Sequence, residues 1–173
     1  YNMFTCNGIL FNHEGETRGE EFVTRKITRF VAKYHYEKKG ILYLGNLSAK
    51  RDWGYAPEYV VAMWKMLQQK KPDDFVIATN ETHTVREFLK EAFKKIHINI
   101  IFKGSGINEV GLNSKTGKIL VKSIKYYYRP NDVEALTGKY SKAKKILKWS
   151  PQVKFKSIVK IMVEQDLKNY KKT

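Results

Sequence analysis

The chain has 173 residues, 42% apolar and 13% aromatic, with a formal net charge of +16. That is enough for one domain with a hydrophobic core and too aromatic for disorder; no stretch reaches the length of a membrane helix, and no secretion signal is visible. Cys6 is the one cysteine, which excludes an internal disulfide framework and a cysteine-based zinc cluster and fits a reducing, cytosolic setting.

Residues 3 to 10, MFTCNGIL, read as a short buried strand, followed by the polar loop NHEGETRGE. Because Tyr1 sits inside this apolar run, the sequence reads as starting within a longer chain. The first strand should then belong to a sheet whose other strands lie upstream, and alone it would expose an unpaired edge. Residues 20 to 36 read as a helix, since Phe22, Val23, Ile27, Phe30, Val31 and Tyr34 recur at three- and four-residue steps. Glu20 and Glu21 fall at its start, where the helix dipole favours negative charge. ILYLGN reads as a strand ending in a turn, and AKRDWGYA as a loop. Pro57 suits the first turn of a helix running to about Gln69.

Asp74 to Thr79 reads as a strand. Thr84 and Glu87 match a capping box, so a helix should start there and run to about Lys95. INIIFKG is a further strand, Gly104 to Gly117 a loop or hairpin, and ILVK a short strand. YYYRP ends an extended piece, because Pro130 biases Arg129 away from helix. Residues 141 to 148 and 155 to 170 read as helices separated by Ser150-Pro151. Strands alternate with helices throughout, which predicts an α/β class. No repeat, low-complexity linker or boundary between independent domains is visible.

A charge of +16 raises a basic, non-enzymatic nucleic-acid-binding module as one reading. Against it, only six of the 33 basic residues are arginine, whose planar fork is favoured for reading bases and clamping phosphates. The lysines are also spread along the chain, as on a solvated face. Catalytic signatures are sparse. GSGINEVG lacks the third glycine of a dinucleotide fingerprint. Tyr34 with Lys38 and Tyr140 with Lys144 have the spacing of a reductase Tyr-Lys pair, but such matches arise readily in a chain this rich in both. The four histidines show no metal-ligand spacing.

Six blocks carry a resemblance: NGILFNHEGETRGEEFVTRKITR, LGNLSAKRDWGYAPEYVVAMWKMLQ, DFVIATNETHTVREFLKEAF, INEVG, KYYYRP and SKAKKILKWSPQVKF. In this order they resemble the GDP-mannose 4,6-dehydratases, in the extended branch of the short-chain dehydrogenase/reductase superfamily. A related sugar-nucleotide epimerase or dehydratase is the nearer alternative. The resemblance implies an α/β fold made of the last strands of an NAD(P)-binding sheet plus the smaller substrate-binding region, spanning residues 1–173. It implies a lyase that converts GDP-mannose to GDP-4-keto-6-deoxymannose, the first step towards GDP-fucose. NADP takes hydride from C4 and returns it at C6, without a metal. The family's catalytic Thr, Glu, Tyr and Lys have no counterpart in these 173 residues, so no catalytic residue is assigned. The whole enzyme is expected to be a soluble dimer or tetramer, with no membrane or nucleic-acid partner.

By the same resemblance His13 and Arg18 contact NADP, and Asn12, Val23, Lys26, Arg51, Arg129 and Asp132 line the GDP-mannose site. Arginines suit a diphosphate because bidentate pairing fixes its orientation. Two positions depart from the family. Gly15-Glu16 stands where Ser-Pro is usual, which adds charge near the expected phosphate. Asp132 replaces Glu, shortening the reach towards the ribose by one methylene.

Overall fold

The computed structural model describes residues 3–128, 133 and 135–171. Elements follow in the order β1 (Gly8–Leu10), β2 (Asn12–Glu14), α1 (Val23–Glu37), β3 (Leu42–Leu44), β4 (Lys50–Arg51), β5 (Trp53–Tyr55), α2 (Ala56–Leu67), β6 (Phe75–Ile77), β7 (His83–Thr84) and α3 (Val85–Lys94). β8 (Ile100–Lys103), β9 (Val110–Asn113), β10 (Ile119–Ser123), β11 (Ala135–Leu136), α4 (Ser141–Leu147) and α5 (Phe155–Lys171) complete the series, with 3₁₀ turns at Gly106–Asn108 and Lys125–Tyr127. The class is α/β with mixed sheets, as the alternation of elements predicts. The chain divides into two compact units, crossing between them after residues 15, 50, 83, 134 and 158. No one point in the sequence separates them.

The first unit is built on two parallel strand pairs. β1 pairs with β6, Gly8 to Leu10 facing Phe75 to Ile77, and β2 pairs with β5, His13 facing Gly54. Tyr59, Ala62 and Met66 repeat at helical spacing on one face of α2. They pack with Phe75, Ile77, Ala143, Leu147 and Trp149 into one apolar cluster. Three side-chain to backbone bonds lock the helix entry. Trp149 Nε1 donates to the Glu58 carbonyl at 2.9 Å, and Glu58 Oε1 accepts from the amides of Gln152 and Val153.

The second unit holds a four-stranded sheet in the order β3-β10-β9-β8. β10 runs parallel to β3 and antiparallel to β9, and β8 runs antiparallel to β9. α1 buries Ile27, Val31 and Tyr34, and α3 buries Phe88, Leu89 and Phe93. Arg86 makes a bidentate pair with the buried Glu109, at 2.7 and 2.9 Å, and also donates to Ser48 Oγ. The pair ties the start of α3 to the approach to β9.

The capping box forms as predicted: Thr84 Oγ1 accepts from the Glu87 amide at 3.0 Å, and Glu87 Oε2 accepts from the Thr84 amide at 2.6 Å. Thr84→Ala removes the first of these bonds and is expected to cost about 1 kcal/mol in urea unfolding, with the slope unchanged. An unaltered midpoint would show that α3 is held by packing alone.

Several predicted elements differ. The strand expected over residues 3 to 10 is regular only from Gly8 to Leu10, and Ile9 is exposed. Glu20 and Glu21 precede α1, whose first turn carries no acid; Glu20 pairs with Arg29 instead. The loop AKRDWGYA contains β4 and β5. Of the two readings of Gly104 to Gly117, the hairpin is the one that forms, with β9 antiparallel to β10. The first part of KYYYRP is a 3₁₀ turn, not an extended piece.

Candidate functional site

The predicted site residues fall into three groups. Asn12, His13 and Arg51 belong to the first unit, and Arg18, Val23 and Lys26 to the second. Arg129 and Asp132 lie outside the described residues.

In the first unit, Asn12 and His13 are consecutive residues of β2, half-buried, with their side chains on opposite faces of the strand. His13 Nδ1 lies 2.9 Å from the Phe11 carbonyl. A carbonyl can only accept, so in the neutral ring Nδ1 carries the proton and Nε2 is left as an acceptor. The His13 ring is steadied by Tyr59, centroid to centroid 5.3 Å. Tyr59 reaches this position because residue 54 is glycine: a Cβ there would fall 2.3 Å from the Tyr59 ring. The Tyr59 hydroxyl is buried, and burial, with the carboxylates of Asp52, Glu58 and Glu14 adding to it, pushes the phenol well above its ordinary pKa. It stays a neutral wall behind His13.

Arg51 precedes a firmly anchored residue. Asp52 is fully buried and accepts four hydrogen bonds. Oδ1 takes the Thr79 amide at 2.8 Å and the Thr79 hydroxyl at 2.7 Å; Oδ2 takes the Asn80 amide at 3.0 Å and the Gly138 amide at 3.2 Å. The carboxylate therefore ties the β4–β5 segment to the end of β6 and to the backbone at Gly138. Nothing in the sequence marked Asp52, because an acid between Arg51 and Trp53 reads as one more polar loop residue.

In the second unit, the Arg18 guanidinium lies 3.6 Å over the Phe22 ring, a cation–π contact that holds it flat. Val23 opens α1 and Lys26 follows one turn later on the same face. The Lys26 ammonium sits 4.5 Å from the centre of the Tyr127 ring. Gly45 allows this turn its position: a Cβ at residue 45 would stand 2.1 Å from the Tyr127 carbonyl oxygen. Ser123 Oγ donates to the Gly45 carbonyl at 2.5 Å and fastens the same junction. Tyr127 thus joins the predicted Val23–Lys26 pair. Its signal was the aromatic run before Arg129, which is more often a core face.

Elsewhere in this unit a cavity of about 320 Å³ is lined by Arg25, Arg29, Lys33, Phe30, Asp166 and Tyr170 among others. No predicted site residue lines it. Among the described residues no group of three His, Cys, Asp or Glu could hold a metal ion, and no helix is long and apolar enough to cross a membrane.

Comparison with known proteins gives one family. The family model described as GDP-mannose 4,6 dehydratase matches residues 1–162. The GDP-mannose 4,6 dehydratase of Dictyostelium discoideum is 56% identical over 99% of this chain and 48% of its own length. The human enzyme of that name is 52% identical over 96% of this chain and 45% of its own. The Yersinia enterocolitica enzyme is 46% identical over 99% and 49%. This chain spans about half the length of the curated relatives it matches. Among solved structures, RMD from Pseudomonas aeruginosa complexed with NADPH superposes with a TM-score of 0.77 at 12% identity. It covers 96% of this chain and 49% of that one. dTDP-glucose 4,6-dehydratase from Bacillus anthracis in complex with NAD gives 0.71 at 16% identity, over 96% and 45%. The likeness to these structures is one of fold: part of the extended short-chain dehydrogenase/reductase architecture.

Proposed function

We propose, from the premise that this chain belongs to the GDP-mannose 4,6-dehydratase family, that it forms the sugar-nucleotide-binding portion of such an enzyme. In this reading it holds GDP-mannose through Asn12, Val23, Lys26, Arg51, Arg129 and Asp132, and holds part of NADP through His13 and Arg18. The observation that carries the reading is 46–56% identity to dehydratases of that name across nearly the whole chain. A nucleic-acid-binding module is not favoured by it.

The donor set fits the cofactor. Arg18 offers a guanidinium already flattened on Phe22, suited to a phosphate, and the His13 ring is fixed with Nε2 available. Gly15, although buried against Ala56 and Tyr55, leaves ordinary contact distance there. NADP, when bound, supplies the oxidation at C4 of the sugar and the return of hydride at C6. This chain's own residues bind and orient. Lys26 lines the sugar-nucleotide site beside Val23, and Arg51 and Arg129 supply the bidentate charges for the diphosphate and the nucleoside. Such positioning contributes to rate by fixing the reacting groups relative to one another. The whole enzyme is read as a cytosolic homo-oligomer of two or four chains, acting at the first step towards GDP-fucose.

Calorimetry with the purified chain tests this. GDP-mannose is expected to bind more tightly than UDP- or dTDP-sugars, and Lys26→Met to weaken it about 10- to 100-fold, the loss of one charge-assisted hydrogen bond to the sugar nucleotide. No turnover of GDP-mannose is expected from the 173 residues by themselves. Preference for a UDP-sugar would move the assignment to an epimerase. Turnover would show that a catalytic group is present after all.

A further inference from the structure

Cations gather along one side of α1. Arg25, Arg29 and Lys33 recur at four-residue steps, which places them on one face of the helix. Asp166, Asn169 and Tyr170 recur at steps of three and four on α5. These two faces frame the cavity of about 320 Å³ in the second unit, with Glu20 and Phe30 completing its wall. The volume is at the small end for ligand pockets and suits a molecule of about the size of a monosaccharide. None of the residues proposed for GDP-mannose or NADP lines it.

The buried and the exposed members of this lining offer different chemistry. Arg25 and Asp166 are buried, with Nη2 2.9 Å from Oδ1. Arg25 Nε and Asp166 Oδ2 have no hydrogen-bond partner among the described residues, a state in which interior polar groups are rarely left. One is a donor and the other an acceptor. A hydroxyl serves both at once, accepting from the guanidinium and donating to the carboxylate. Arg29 and Lys33 are exposed. Arg29 is paired with the carboxylate of Glu20, a side chain 70% exposed, and a pair so open to water is weak. A phosphate monoester carries about two charges against the one of Glu20 and can bond a guanidinium in two places, so it displaces that carboxylate. Phe30, half-buried, adds an apolar wall against which a sugar ring can lie.

We propose that this cavity between α1 and α5 is a binding site for a hexose phosphate. The phosphate replaces the Glu20 carboxylate on Arg29 and adds Lys33, while the sugar hydroxyls reach Arg25, Asp166 and Asn169. Glu20 is then the cavity's own competitor, an internal carboxylate that occupies Arg29 until a stronger anion arrives. An uncharged sugar has nothing to offer Arg29 and Lys33. A bare phosphate leaves the buried donor and acceptor unmatched. The site lies within one unit and does not rest on the ligand contacts proposed above.

Calorimetry on the purified chain tests this with three probes: glucose 6-phosphate, glucose and inorganic phosphate. Glucose 6-phosphate is expected to bind at one to one, glucose not measurably, and inorganic phosphate at least about 10-fold more weakly than glucose 6-phosphate. Arg29→Gln with Lys33→Gln should weaken glucose 6-phosphate about 10- to 100-fold, the loss of charge-assisted bonds to the phosphate. Glu20→Gln should tighten it about 2- to 5-fold, because the competing carboxylate is gone. All three side chains are exposed, so the variants should melt with the parent. If the double variant melts early, Lys33→Gln alone must weaken binding, and a gain in Glu20→Gln cannot arise from unfolding. Four results would each overturn the proposal: no saturable binding of glucose 6-phosphate, inorganic phosphate bound as tightly, affinity unaffected by the Arg29 and Lys33 changes, or affinity that Glu20→Gln fails to raise.

Discussion

Asp52→Ala should destabilise the protein by about 3–5 kcal/mol in urea unfolding, more than half of what many domains possess. The side chain is fully buried and accepts bonds from the Thr79 amide and hydroxyl and from the amides of Asn80 and Gly138. Removing it leaves several donors unsatisfied, and the backbone at Gly138 cannot close the gap. That glycine is already pressed against Ala78 and Phe11, which a Cβ would meet at 2.4 and 2.7 Å. Asp52→Asn keeps the shape but turns an NH2 group towards donors, so it should fall between wild type and Ala. On the proposed reading the effect extends to ligand binding: β5 sets the register of the strand that carries His13, and Arg51 precedes Asp52, so the affinity proposed for GDP-mannose should fall in parallel in whatever fraction stays folded. An Asp52→Asn protein as stable as wild type would show that water, not the carboxylate, satisfies these amides.

What the sequence reveals depends on how local the cause is. The cap of α3 is legible because Thr84 and Glu87 satisfy each other within three residues. Pro57 marks the start of α2 for the same kind of reason, and the stripe of Ile27, Val31 and Tyr34 declares α1. β4 and β5 are not legible. They are two and three residues long, and what makes them strands is a partner elsewhere in the chain: Trp53 pairs with Asn12, forty-one positions away. β9 hides in a glycine-spotted stretch for a similar reason, since β8 and β10 flank it and define it. The site divides along the same line. Arg18 and Lys26 are identified by residue type and resemblance. The groups that fix their surroundings are Phe22 beneath Arg18, Tyr127 beside Lys26 and Gly45 beneath the Tyr127 turn, and two of those three contacts exist only in the folded chain. The interleaving of the two units is equally invisible, because five crossings leave no composition change to find.

Arg25→Leu should cost a comparable 3–5 kcal/mol, roughly the value for leaving one partner of a buried ion pair alone, with a distinct pH signature. Arg25 Nη2 lies 2.9 Å from Asp166 Oδ1, with 10% and 4% of the side chains exposed, and the same guanidinium donates to the Glu16 carbonyl. Burial pushes the Asp166 carboxyl above its ordinary pKa, while Thr28, Arg25 and Arg29 pull it back down. A folded-state value above the unfolded one means that the stability linked to this group is fully present below the unfolded pKa. It is lost as pH rises through the folded value. Leucine at residue 25 removes one of the downward causes and moves the carboxyl further up. The deficit of the variant relative to wild type should therefore be greatest at neutral pH and shrink as the solution is made acid, when Asp166 takes up a proton. The double variant Arg25→Leu with Asp166→Leu supplies the control. Apolar groups of similar volume in place of both charges should recover most of the loss at neutral pH. A double variant no more stable than Arg25→Leu, or a deficit unchanged by pH, would place the cost in the Glu16 contact and the packing of the Arg25 stem rather than in an abandoned charge.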